Sequence, residues 1–227
     1  MNNYKFYPSN DRRGYKITIM VGSPNSWIIP WALLVNDIIS PFHKVVLCFD
    51  SKKIQKSDIT FLLSCTQILP NHILKKSKIN LVIHESDLPL GRGWSPMAYQ
   101  ISYGVNNIPV VLFEATENID SGSIYLKDFI NLNGTELLPE IREKQGIKTV
   151  EMLLKFLTLW PNLQPKEQIG APTYYKKRTV DDDKLDIYKT IADNFDHLRI
   201  VDNENYPAWF EYRGKKYTIK VFPKDLE

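Results

Sequence analysis

The chain has 227 residues, 43% of them hydrophobic, enough to bury one α/β domain with a small appendage. Its formal net charge of +3 is too mild to predict a nucleic-acid partner, because phosphate binding needs Lys and Arg clustered on one face. No run approaches the roughly 18 apolar residues of a membrane span, the opening MNNYKFYPSNDRRGYK lacks an apolar leader core, and Cys48 and Cys65 fall inside apolar runs as reduced core thiols; a cytoplasmic chain is expected.

Residues 15–22, YKITIMVG, form a β-rich run ending at Gly22, and SPNSWIIPWALLVNDII reads as loop into helix, with Ser26 a candidate N-cap and Pro30 tolerable near its start. One glycine stands where a dinucleotide fingerprint requires three, so that class of cofactor is not expected. KVVLCFD (44–50) and ITFLLSC (59–65) are near-continuous apolar runs, as strands buried on both faces of a parallel sheet should be. TQILPNHILKK then gives a polar turn and a short helix, in which Ile68 and Leu69 either close the core or border a site.

In INLVIH (79–84) the alternation puts Asn80, Val82 and His84 on one face, and His84 is its last residue before the Gly/Pro-rich ESDLPLGRGWSP. Ligands of open parallel sheets bind outside the carboxyl ends of the strands, where His84 would stand. The bland alternative is a strand-end histidine satisfied by a backbone carbonyl. A helix from about 96 to 103 follows, then the strand IPVVLFEA (108–115), the polar loop TENIDSG with Asp120, and a returning strand, SIYLKDFINL (123–132). A long helix over roughly 134 to 158, with Leu137, Ile141, Val150, Leu153 and Leu157 on one face, completes a domain of about 165 residues.

The remainder changes character. LWPNLQPKEQIGAPTYY is a surface linker by its prolines, and Thr179 caps a helix over KKRTVDDDKLDIYKTIADNFDHL. Its acidic first turn, Asp181 to Asp183, complements the helix dipole rather than holding a metal. AWFEYRGKKYTIKVF makes a hairpin turning at Arg213-Gly214.

HESDLPLGRGWSP taken with IDSG resembles the folate-dependent formyltransferases, whose pattern is Asn-x-His, a Ser-Leu-Leu-Pro-like turn, Arg-Gly, and an Asp-Thr-Gly-like loop. His84, Ser86, Leu88, Pro89, Arg92, Gly93, Pro96, Asp120 and Gly122 fall on it, most clearly within residues 59–130, while Val82 stands where the family has its asparagine. The resemblance implies a Rossmann-like, mostly parallel α/β sheet flanked by helices in a catalytic domain over 1–165, with a helix-plus-hairpin extension over 166–227 like that of the nucleotide-sugar N-formyltransferases. It implies formyl transfer from 10-formyltetrahydrofolate to the amine of a nucleotide-linked amino sugar, without a metal, and a possible homodimer.

In that reading His84 shuttles protons, since histidine accepts and donates near neutrality, and Asp120 orients it and stabilises the imidazolium. The family asparagine donates to the developing oxyanion, a contribution worth roughly 3 kcal/mol elsewhere. Valine cannot, and Asn80 lies about 6.6 Å further back along the strand. Protonated His84, a GRGW backbone N–H or Ser86 are the other candidates. Gln67, Ile68, Leu69, Ala115, Thr116 and Glu117 would surround the folate. Arg92, Trp94 and Ser86 would meet the acceptor, against a plainer reading in which Arg92 braces its loop and Trp94 is an anchor. Tyr174, Tyr175 and Arg178 belong to a nucleotide pocket or a dimer contact. Two alternatives stand beside this: methionyl-tRNA formylation, disfavoured by only about 57 residues after Gly170 and no basic stripe, and a non-catalytic binding module, raised by Val82.

Overall fold

The computed structural model describes residues 14–224; the expectation of no targeting segment before them falls on residues outside that range. Four strands, β1 (Lys16–Val21), β2 (Lys44–Cys48), β3 (Ser57–Leu63) and β4 (Ser77–His84), pair in parallel in the order β2-β1-β3-β4. The sheet continues through β6 (Asn107–Glu114) and β7 (Ile124–Asn131), both antiparallel to their neighbours. It is therefore a mixed, mostly parallel sheet. Two-residue strands β5 (Arg92–Gly93) and β8 (Tyr174–Tyr175) pair separately.

The parity of the strands decides what lies on each face. Ile17, Ile19, Ile59, Phe61, Ile79 and Leu81 point to the layer made by helices α1 (Ile29–Ile39) and α4 (Leu138–Leu159), where the main core sits. Met20, Leu62 and Val82 point to the opposite face, which among the described residues is covered by the four-residue helix α2 (Asn71–Leu74) and by loops. That thin cover leaves room for a cleft above Val82 and His84. Where α1 crosses α4, the Trp31 ring occupies the space a Cβ on Gly146 would need, so glycine in mid-helix is required for the close approach.

Several local expectations need correction. Helix α1 starts at Ile29 with Ile28 as its N-cap and no side-chain cap, so Ser26 does not cap it; the Ser26 carbonyl instead accepts from the Ile29 N–H in the preceding turn. Strand β3 ends at Leu63, which leaves Cys65 beyond the sheet, half-buried, with its Sγ 2.9 Å from Met20 Sδ. Burial pushes the Cys65 thiol up to about 12, so it is unreactive at neutral pH. The single acidic helix expected after Thr179 is two pieces, a 3-10 turn over Val180–Asp183 and α5 (Ile191–Leu198) with its own Thr190/Asp193 capping box. The chain straightens between them because the Leu185 N–H bonds the Trp209 carbonyl at 2.7 Å. The hairpin of β9 (Ala208–Tyr212) and β10 (Lys215–Ile219) turns at Arg213 and Gly214, both at positive φ, as expected of a tight two-residue turn.

The C-terminal segment is fastened by Arg199, which is 0% exposed. Its guanidinium donates to the Glu136 carbonyl and to Asn106 Oδ1, and ion-pairs with Asp196 at 2.7 Å and Glu136 at 3.4 Å. Arg199→Ala leaves buried Glu136 short of a partner and is expected to cost about 3–5 kcal/mol in urea denaturation. Burial alone would raise the Glu136 carboxyl, but Lys144 and the Asn133 N–H overcome it and hold it at about 2. A depressed carboxyl stabilises the fold above its unfolded pKa, so this contribution is lost as pH falls from about 4.5 to about 2. Glu136→Gln should flatten that limb of a stability-against-pH curve.

Candidate active site

A cleft of about 400 Å³ opens over the carboxyl ends of β3 and β4, flanked by Phe113 of β6 and by Ala115 and Thr116 just after that strand. Its floor is Leu62, Val82 and Phe113; one wall is the segment after β3, the other the end of β6 and the loop to Asp120. His84 is buried but borders the cleft, with its ring edge-on to Phe113 at 6.3 Å. His84 Nε2 lies 2.8 Å from the Gly91 carbonyl, which fixes that nitrogen as the donor and makes Nδ1 the lone-pair nitrogen. Asp120 Oδ2 is 3.9 Å from the same Nε2 and accepts the Gly93 N–H at 2.8 Å. The carbonyl, not the expected carboxylate, therefore selects the tautomer. Asp120 stands at ion-pair range of the ring.

The loops that carry these groups are locked to the linker. Gln168 Nε2 donates to the carbonyls of Asp120 and Gly122, and its Oε1 accepts from Arg92 Nη2 at 2.7 Å. The IDSG loop passes so close to the Glu114 carbonyl that a side chain at Gly122 would overlap it. The strap 173–175 runs beside GRGW, taking the Arg92 N–H on the Thr173 carbonyl and the Trp94 N–H on the Tyr175 carbonyl. Tyr175 stacks on Tyr99 at 4.6 Å.

His84, Asp120, Gln67, Ile68, Leu69, Ala115, Thr116 and Trp94 all border the cleft. Ile68 is 57% exposed, an apolar side chain left open on its rim. Four other candidates lie elsewhere. Asn80 is buried and gives its amide to the Leu74 carbonyl, tying α2 to the sheet, so it does not replace the missing asparagine. Ser86 is buried behind the turn, off the cleft wall. Arg92 braces Gln168, which is the plainer of its two readings. Glu117 accepts the Asn71 N–H at the start of α2.

The N–H groups of Gly91 to Trp94 are all committed, to Thr173, Asp120 and Tyr175. Among the proposed substitutes for the asparagine, that leaves protonated His84. Among the described residues no cluster of three His, Cys, Asp or Glu could hold a metal, and no helix is long and apolar enough to cross a membrane.

The sequence reading missed Glu85 and Gln145. Glu85 follows His84 and borders the cleft, with Gln145 Nε2 donating to its Oε1 at 2.7 Å. A carboxylate at the very end of an apolar strand was the available signal. A second cleft of about 760 Å³ adjoins the first and shares Trp27, Glu85, Trp94, Ser95 and Gln145 with it.

No protein-family model matches the chain. It is 32% identical over 167 residues to the methionyl-tRNA formyltransferase of Rickettsia prowazekii, covering 72% of this chain and 54% of that protein; the chain thus spans about half the length of the curated relatives it matches. Its fold is similar to methionyl-tRNA formyltransferase from Clostridium thermocellum, with a TM-score of 0.77, 21% identity and coverage of 92% and 93% of the two chains. It is also similar to a sugar N-formyltransferase from Shewanella, with a TM-score of 0.66, 16% identity and coverage of 93% and 99%. With this sheet, this rim and that sequence kinship together, the chain belongs to the folate-dependent formyltransferase family.

Proposed function

We propose that the chain transfers a formyl group from 10-formyltetrahydrofolate to the amine of a nucleotide-linked amino sugar. The observation that carries this is the His84 imidazole on the wall of an apolar-floored cleft, its Nε2 pinned by Gly91 and a carboxylate 3.9 Å away. The residues fit a flat folate ring: Leu62, Val82 and Phe113 give an apolar floor, Ile68 and Ala115 the sides, and Gln67 and Thr116 polar edges. When bound there, 10-formyltetrahydrofolate supplies an activated one-carbon unit.

His84 Nδ1 accepts a proton from the acceptor nitrogen and returns it to the departing folate nitrogen. Between those steps Asp120 stabilises the imidazolium while the Gly91 carbonyl keeps the ring from turning. With Val82 unable to donate, the imidazolium is also the group that meets the oxyanion. This makes His84 more heavily used than in a site that retains the asparagine. A cytoplasmic setting and a homodimer belong to the same reading. A second acceptor, methionyl-tRNA, is favoured by the 32% identity to the Rickettsia protein.

Tetrahydrofolate release, followed with 10-formyltetrahydrofolate and a panel of CMP-, GDP-, UDP- and dTDP-linked amino sugars beside methionyl-tRNA, separates these readings. Turnover with one nucleotide sugar is expected, falling about 10²- to 10⁴-fold in His84→Ala. Asp120→Asn, which keeps the shape but not the charge, should lose about 100-fold with folate binding retained. Turnover with methionyl-tRNA alone transfers the assignment to that acceptor. No turnover with any acceptor, and nothing lost in His84→Ala, leaves a binding module.

A further inference from the structure

We infer that Glu85 receives the cationic amine of the acceptor, at the junction of the two clefts, and takes the first of its two protons. The inference rests on the formyl-transfer reading above and assigns a group that reading does not use.

Glu85 is half-buried, and its carboxyl accepts neutral hydrogen bonds from Gln145 and from its own backbone N–H. No Lys or Arg pairs with it among the described residues. A carboxylate withdrawn from water without a cation is costly, and structures normally supply one. Burial pushes this carboxyl up, against the pull of Gln145 and of His84, while Asp120 adds to the rise. The missing partner is a cation, and the space for it is open on both sides, since Glu85 borders both clefts.

The second cleft gives that cation an orientation. It lies between α3 (Pro96–Ser102), α4 and the segment around residues 177–183. Two of its cations are already balanced, Arg178 by Asp183 at 2.6 Å and Arg142 by Asp202 at 3.3 Å. Lys177, 5.1 Å over the Trp94 ring, has no carboxylate partner among the described residues. An acceptor with an anionic end at Lys177 and an amine at Glu85 matches this order of charges. It is the charge pattern of a phosphorylated or nucleotide-linked amine.

The proton balance follows. The amine arrives as R–NH₃⁺, Glu85 takes one proton, and the free lone pair forms the new C–N bond to the formyl carbon. The second N–H proton passes through His84 to the folate nitrogen as its bond to the formyl carbon breaks. The products are the formamide, tetrahydrofolate and one proton, which Glu85 releases to solvent. A lone histidine would have to perform both transfers; a second acceptor divides them.

Glu85→Gln keeps the shape and still accepts from Gln145. For the nucleotide sugar of the panel that turns over, kcat/KM at pH 7 should fall about 100-fold, with the deficit shrinking toward pH 9.5 as the amine loses its proton unaided. Calorimetry should show tetrahydrofolate bound as by the wild type. It should also show that the preference for the amino sugar nucleotide over its hydroxyl counterpart is gone in Glu85→Gln. A raised carboxyl favours the fold below its unfolded pKa, about 4.5, and that stability is lost as pH rises through the folded value. The variant should therefore melt higher than wild type at pH 8, the gap closing below pH 4.5, which also establishes that it folds. Turnover within threefold of wild type across this pH range overturns the inference while leaving formyl transfer standing. A wild type that turns over no acceptor overturns both.

Discussion

The rim of the cleft depends on one side-chain amide. Gln168 is the shared partner of Arg92 on the GRGW loop and of the Asp120 and Gly122 carbonyls on the IDSG loop. Asp120 sits at φ +44°, a left-handed conformation that costs an ordinary residue about 1–3 kcal/mol and persists only where its surroundings over-determine it. Two hydrogen bonds from Gln168 and one from the Gly93 N–H provide that constraint. Without them the carboxylate has no reason to stay within ion-pair range of His84. The linker is thus a structural part of the site.

That dependence marks where the sequence was legible. Strands β1 to β3 could be read from near-continuous apolar runs, and β4 from the alternation of Ile79, Leu81 and Ile83 with Asn80, Val82 and His84. Strand parity then sufficed to put Val82 and His84 on the thinly covered face. The paired motif identified the two loops, because glycines at close approaches such as Gly122 leave a fixed imprint. Partners distant in sequence left no such mark. Arg92 and Gln168 are 76 residues apart and Glu85 and Gln145 are 60, so no local period encodes either pair. Asn80 differs, because its partner is near in sequence: its face was right, but the Leu74 carbonyl at the end of α2, only six residues back, takes its amide once that short helix packs on the sheet.

The C-terminal segment shows the same limit from another side. Composition indicated an acidic capped helix, and there are two capping boxes, Thr179/Asp182 and Thr190/Asp193, each satisfying its own short turn. Helix propensity favoured joining them; the Leu185 bond to Trp209 won because a buried leucine anchored on the hairpin is worth more than a few helical residues in water. Arg199 then carries the segment into the main body through buried bonds that neither half could satisfy alone.

The substitution of Val82 for the family asparagine and the presence of Glu85 bear on a single electrostatic problem. Valine deepens the apolar floor beside His84. In a low-dielectric cleft each charge sets the others: burial raises the Glu85 carboxyl, the Gln145 hydrogen bond opposes the rise, and Asp120 adds to it. A cation beside Glu85 relieves that cost, and under the proposal above the acceptor amine brings it. A half-buried carboxylate with only a neutral amide as its side-chain partner is complementary to an amine, and it borders a cleft whose floor at position 82 offers no polar donor.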